Sequence, residues 1–139
     1  MGNECFLDTN VLIYAASESE RERRKFEVAR EIVTTRDFCL SGQVLAEFCA
    51  HAERKRTGSV PFAPEELDRW LALLAEYDIA PIDAEIVQAG LRHSRRYRIS
   101  YWDGAIIAAA ERLGAPILFT EDLNHDQRYG AVIAVNPFR

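Results

Sequence analysis

Short apolar runs recur along the chain at Cys5 to Leu7, Phe38 to Leu40, Ile79 to Ile82, Ile117 to Phe119 and Ala131 to Val135. Each has the length and content of a buried strand. Between them the pattern changes to apolar residues three and four apart, the spacing of a helix with one buried face. Val11, Leu12 and Tyr14 take up that spacing directly after the first run, and Glu18 to Arg36 continues it with a narrow stripe of Phe26, Val28, Ala29, Ile32 and Val33. Ser41 is placed to cap a helix from Gln43 to about Arg56, with Val44, Leu45, Phe48, Cys49 and Ala52 on one arc and Gly58 as its end. After a loop at Val60 to Pro64, Pro64 with Glu65 and Glu66 opens a helix bearing Leu67, Trp70, Leu71, Leu74 and Tyr77. Asp83 is the expected N-cap of a helix reaching about Tyr97. Trp102 to Leu113, closed by Gly114, is the most apolar helix of the chain.

Strands alternating with helices predict an α/β fold in which a mainly parallel sheet is covered by helices. A chain of 139 residues suits one domain, 1–139, with one substantial core. The content of 48% apolar and 28% charged residues is that of a soluble globular protein, not a disordered one. No apolar run approaches the roughly 20 residues of a membrane span. The first residues lack the basic region and cleavage site of a signal peptide, so a cytoplasmic location is expected. Cys5, Cys39 and Cys49 have no CxxC spacing and sit in apolar segments, as buried reduced thiols do.

Several acids fall at the junctions of this pattern. Asp8 stands between the first strand and the first helix, the edge of an α/β sheet where ligands bind. Asp122 follows the strand ending at Phe119. Glu47 lies on the shoulder of its helix's apolar arc, in the first turns, where negative charge is favoured; its other reading is a surface glutamate paired with His51. Asp103 sits at the centre of the inward stripe of Trp102, Ile106, Ile107, Ala110 and Leu113, with a capping box to Ser100 as the structural alternative. Asp83, by contrast, has a sufficient role as a helix cap.

Asp8, Glu47, Asp103 and Asp122 can all reach one crevice. Crowded carboxylates raise one another's pKa unless cations neutralise them. Mg²⁺ suits such a set, since it binds through a few carboxylates, waters and substrate phosphates. The matching chemistry is phosphodiester hydrolysis. A net charge of −5 argues against a protein that merely coats nucleic acid, yet it leaves room for a nuclease whose local basic patches meet phosphates. Two such patches are Arg21 to Lys25 and Arg92 to Arg98; the second contains Tyr97, which can stack on a base, though a solvated helix end fits as well. No GxSxG, GxxxxGK[ST] or GxGxxG motif is present, and His51, His93 and His125 lack zinc-ligand spacing. A phosphatase with Asp8 as nucleophile needs a second aspartate two residues on, where Asn10 stands.

The stretches LDTNVLIYA at Leu7 to Ala15, SGQVLAEF at Ser41 to Phe48, SYWDGAIIAAA at Ser100 to Ala110, LFTEDLNHDQ at Leu118 to Gln127 and VNPF at Val135 to Phe138 together resemble the PIN-domain ribonucleases. More narrowly they resemble the VapC-type toxins of toxin–antitoxin pairs. The resemblance implies a three-layer α/β/α sandwich, Mg²⁺- or Mn²⁺-dependent endonucleolytic cleavage of RNA, a homodimer, and inhibition by a cognate antitoxin protein. It also implies that Asp8, Glu47, Asp103 and Asp122 form the acidic metal-binding set, with Thr9, Asn10 and Ser41 in support. Two positions depart from the family pattern. Asp126 replaces the usual glycine and adds a further candidate metal ligand, and Gly104 replaces the usual alanine, weakening the helix start by about 1 kcal/mol while permitting closer backbone approach. The expected protein is therefore a metal-dependent endoribonuclease toxin, with a catalytically degenerate PIN-like RNA- or protein-binding module as the alternative.

Overall fold

The computed structural model describes residues 3–53 and 62–139. Its strands are β1 (Cys5–Leu7), β2 (Phe38–Ser41), β3 (Asp78–Ala80), β4 (Ile117–Phe119), β5 (Arg128–Tyr129) and β6 (Val132–Val135). The helices are α1 (Thr9–Ala16), α2 (Arg23–Thr35), α3 (Gly42–Ala52), α4 (Pro64–Leu74), α5 (Ala84–Tyr97) and α6 (Tyr101–Arg112), with a 3₁₀ turn at Glu20–Glu22 before α2.

The strands form one sheet in the order β3-β2-β1-β4-β6-β5, parallel except for the β5–β6 pair. Cys5, Phe6 and Leu7 are each fully buried. Successive strand residues point to opposite faces, so helices must cover both sides of β1. That is the helix-covered, mainly parallel sheet expected from the alternation, and the α/β/α sandwich that the resemblance implies. The chain runs outward from β1 through β2 to β3, then returns across to β4 on the other side of β1. The strand order therefore reverses between β1 and β4, which opens a crevice at their carboxyl ends.

The element boundaries follow local chemistry. Asp83 caps α5 by accepting from the Ile86 N–H at 3.0 Å, and a bidentate pair with Arg112 at 2.7 and 3.0 Å holds its carboxyl below the usual range. Ser41 accepts from the Val44 N–H at 3.2 Å to start α3. β3 lies at Asp78–Ala80, not Ile79 to Ile82, because Pro81 has no N–H for the ladder. The helix expected from Glu18 becomes the 3₁₀ turn plus α2; no residue of that turn is buried to fix an α-helical register. α6 begins at Tyr101, one residue ahead of expectation, since Ser100 accepts from the Asp103 N–H at 3.0 Å. β5 has only two residues, too few for any periodicity, and Gly130 at φ 62° turns it into β6. Arg56 and Gly58, expected at the end of α3, lie outside the described residues.

α5 and α6 pack unusually closely where Gly90 faces Ala105 and Gly104 faces Gly90. A methyl on Gly104 would collide with the Gly90 carbonyl oxygen. The glycine expected to weaken α6 thus permits the backbone contact that seats it. Cys5 and Cys39 are buried free thiols, pushed up to about 11 and about 12 chiefly by burial; Cys49 is partly buried and also free.

Candidate metal centre

The crevice between β1 and β4 opens into a cleft of about 410 Å³ lined by Asp8, Thr9, Asn10, Gln43, Glu47, His51, Trp102, Asp103, Glu121 and Asp122 among others. Asp8 leaves the end of β1 and caps α1, its Oδ1 accepting from the Thr9 N–H at 2.7 Å. Its Oδ2 accepts from the Thr120 hydroxyl at 2.7 Å, and that hydroxyl in turn accepts from the Asp122 N–H at 3.0 Å. Thr120 directly follows β4 and is wholly buried. It ties the two strand ends of the switch point together.

One carboxylate oxygen from each of Asp8, Asp103 and Asp122 lies within 4.8 Å of the other two, the only such acid, histidine or cysteine group among the described residues. Oxygens on a single Mg²⁺ at about 2.1 Å stand no more than about 4.2 Å apart, so the three need to draw together only slightly. Hard oxygen donors of this kind suit Mg²⁺ or Mn²⁺. Asn10 donates to Asp122 Oδ2 at 3.2 Å while its own Oδ1 is buried without a partner. A buried unpaired acceptor beside three carboxylates fits a cation or its water.

Glu47 lines the same cleft but is not one of the three. It accepts from the Thr9 hydroxyl at 2.7 Å rather than pairing with His51. That bond ties Glu47 to the residue after Asp8, within the same cleft. Asp126 is not brought to the cluster. It sits at φ 63° in the turn before β5, donates its N–H to the Ala134 carbonyl at 2.7 Å, and points its carboxylate at His125 Nε2, 3.2 Å away.

Electrostatics in the cleft point the same way. Burial pushes Asp8 up to about 7, opposed by its bonds from Thr120 and Thr9 and reinforced by the Asp122 and Glu47 charges. Asp103 is raised for the same reasons, burial first, then Asp122 and Glu47. A cation at these oxygens reverses that penalty. Glu121 is kept out of the cluster: it accepts from the Tyr14 hydroxyl at 2.7 Å and from Lys25 at 3.1 Å. Of two adjacent acids after β4, one joins the site and its neighbour is neutralised.

The structure also reassigns several surface groups. Arg23 pairs with Glu27, Arg24 bonds the Phe138 and Arg139 carbonyls, and Lys25 holds Glu121, so most of that basic segment is used internally. Tyr97 is not free to stack on a base, because its hydroxyl accepts from the Gly130 N–H at 2.7 Å and its ring packs edge-on against Tyr129. Arg92, Arg95, Arg96 and Arg98 remain exposed. Trp102, expected on the inward stripe of α6, is 61% exposed at the lip of the cleft. Sequence reasoning missed Thr120 as a functional residue; the signal for it is a polar residue set directly after a buried strand and two positions before an acid.

Comparison with known proteins agrees with this fold. No curated protein matches the sequence. Among solved structures, a toxin–antitoxin complex from Klebsiella pneumoniae superposes with a TM-score of 0.71 at 18% identity, covering 96% of this chain and 97% of that one. VapC20 of Mycobacterium tuberculosis, described as a sarcin–ricin loop cleaving toxin, gives a TM-score of 0.66 at 16% identity over 85% of this chain and 91% of that one. FitAcB of Neisseria gonorrhoeae gives 0.64 at 21% identity over 96% and 98%. These likenesses establish a shared fold. The PIN domain family model matches residues 5–131, and the chain belongs to the PIN domain family.

Proposed function

We propose that the protein is a VapC-type toxin, a Mg²⁺- or Mn²⁺-dependent endoribonuclease paired with a cognate antitoxin protein. The observation that carries this reading is the convergence of the Asp8, Asp103 and Asp122 carboxylates within 4.8 Å of one another at the sheet's switch point in a PIN fold. Asp8, Asp103 and Asp122 hold the ion, and Glu47, placed by Thr9, faces the same space. When bound, a divalent ion supplies an activated water and neutralises charge that builds on the phosphate. The chain's own part is orientation. Thr120 fixes the Asp8 carboxylate, and Asn10 fixes Asp122. With water as nucleophile, no side chain is esterified, which sets this reading apart from a phosphatase that acts through Asp8.

The toxin reading draws further support from solved VapBC and other toxin–antitoxin complexes sharing the fold, one of them from Salmonella typhimurium with DNA bound. A homodimer and a cytoplasmic location belong to the same proposal, and no helix among the described residues is long and apolar enough to cross a membrane. The test is cleavage of RNA by the purified protein with and without Mg²⁺ or Mn²⁺. Asp8→Asn and Asp103→Asn should each abolish metal-dependent cleavage while the folded state persists. Full cleavage by both variants would refute the assignment.

A further inference from the structure

Trp102 is the largest side chain that the fold leaves in water without an evident reason. It is 61% exposed, more than any other large apolar residue described. It occupies the first turn of α6, directly before Asp103, and lines the cleft that holds the three carboxylates. The ring is not a loose surface group. Gln43, whose side chain is buried, donates to the Trp102 carbonyl at 3.2 Å, and the Tyr101 ring stands edge-on to the indole with centroids 5.1 Å apart.

An exposed aromatic surface beside an acidic cleft has a limited set of partners. The acids repel the phosphates of a nucleic acid wherever no cation intervenes, so affinity for the strand must come from groups of another kind. A nucleobase is neutral and offers a π face, and stacking on an aromatic side chain tolerates any base. Base-paired residues have no free face to offer, which selects an unpaired strand. The α5–α6 turn also carries the exposed Arg98 four positions before Trp102, with Arg95 and Arg96 on the preceding helical turn. Exposed cations that can meet a phosphate backbone therefore precede the aromatic plate closely in the chain.

We propose that the Trp102 indole is the stacking platform for an unpaired base of the strand whose backbone enters the cleft beside Asp8, Asp103 and Asp122. The proposal rests on the endoribonuclease reading, and the experiment separates the two. Cleavage of a short single-stranded RNA of mixed sequence by the full-length protein in Mg²⁺ tests that reading; Trp102→Ala and Trp102→Phe test the platform. The alanine variant should raise KM about tenfold at nearly constant kcat, and the phenylalanine variant, which keeps a ring, should recover most of that loss. In the wild type, the RNA should quench tryptophan emission; in the phenylalanine variant the remaining Trp70, packed near Phe48, should not respond. Should the wild type fail to cleave RNA, the emission arm still decides. Quenching by the RNA but not by inorganic polyphosphate supports the platform, and no quenching overturns it. An unchanged KM in an active alanine variant also overturns it. So does a loss of activity that tracks dissociation of a dimer by sedimentation, since Trp102 then serves contact between copies of the chain.

Discussion

Thr120 Oγ1 stands 2.7 Å from Asp8 Oδ2, a bond between the ends of β4 and β1 across 112 positions of sequence, with both partners buried. The same hydroxyl receives the Asp122 N–H at 3.0 Å. One side chain thereby holds the Asp8 carboxylate and the Asp122 backbone, and so two of the three clustered acids. Partners behind metal ligands typically govern affinity by about 10–100-fold. Thr120→Val, close in shape but unable to donate, should weaken Mg²⁺ or Mn²⁺ binding within that range. Thr120→Ser should retain most of it. Calorimetric titration of the two variants measures the difference, and wild-type affinity in the valine variant would contradict the role.

The raised Asp8 carboxyl links metal binding to pH. Its folded-state value is about 7 against an ordinary 3.8. Between those values the folded, metal-free protein holds a proton that the unfolded chain has released. The stabilisation this confers is complete below pH 3.8 and is lost as pH rises toward 7, with the slope set by one released proton. Thermal melts of metal-free protein should show that slope, and Asp8→Asn should flatten it. Metal must displace the same proton, so affinity should fall toward tenfold per unit as pH drops below 7. Titrations in buffers of different ionisation enthalpy will count the released proton.

The candidate acids should separate by position. Asp103→Asn and Asp122→Asn remove members of the cluster and should abolish detectable metal binding and cleavage. Glu47→Gln keeps an acceptor for the Thr9 hydroxyl and should reduce both without abolishing them. Asp126→Asn should leave both unchanged, because Asp126 faces His125 and asparagine tolerates its φ of 63°. Loss of metal binding in the Asp126 variant, read by titration, would bring that residue back into the site.

Gly104 offers a test in which local propensity and packing oppose each other. In an isolated helix, alanine there gains about 1 kcal/mol. In the fold, the added methyl meets the Gly90 carbonyl oxygen and the Ser94 backbone nitrogen, which cannot swing aside as a flexible side chain does. Overpacking of that kind costs about 1–3 kcal/mol. Gly104→Ala should therefore show a lower midpoint in urea with an unchanged slope. A higher midpoint would mean that α5 and α6 can move apart freely.

Much of this protein was legible from near neighbours in the chain. Buried strands declare themselves as short apolar runs because both faces of each are covered, and helix starts at Ser41, Asp83 and Ser100 depend on bonds reaching three residues at most. The four motifs that carry the acids are similarly local, which is why the candidate set and the PIN fold were readable together. Three-dimensional neighbours decided the rest. Asp122 joins the cluster while Glu121 turns to Lys25 and Tyr14, and no single-residue property separates two adjacent acids after a strand. Tyr97 is claimed by the Gly130 turn, and Asp126 by the hairpin that a two-residue β5 creates. Trp102 belongs to an apolar stripe by periodicity, yet it stays in water, because the close Gly90–Gly104 contact and the Gln43 bond seat the first turn of α6 with that residue at the rim. The sequence alone determines which segments form strands and helices and which residues carry charge. Only the packing of the helices onto the sheet decides which charges meet, since those meetings join positions far apart in the chain.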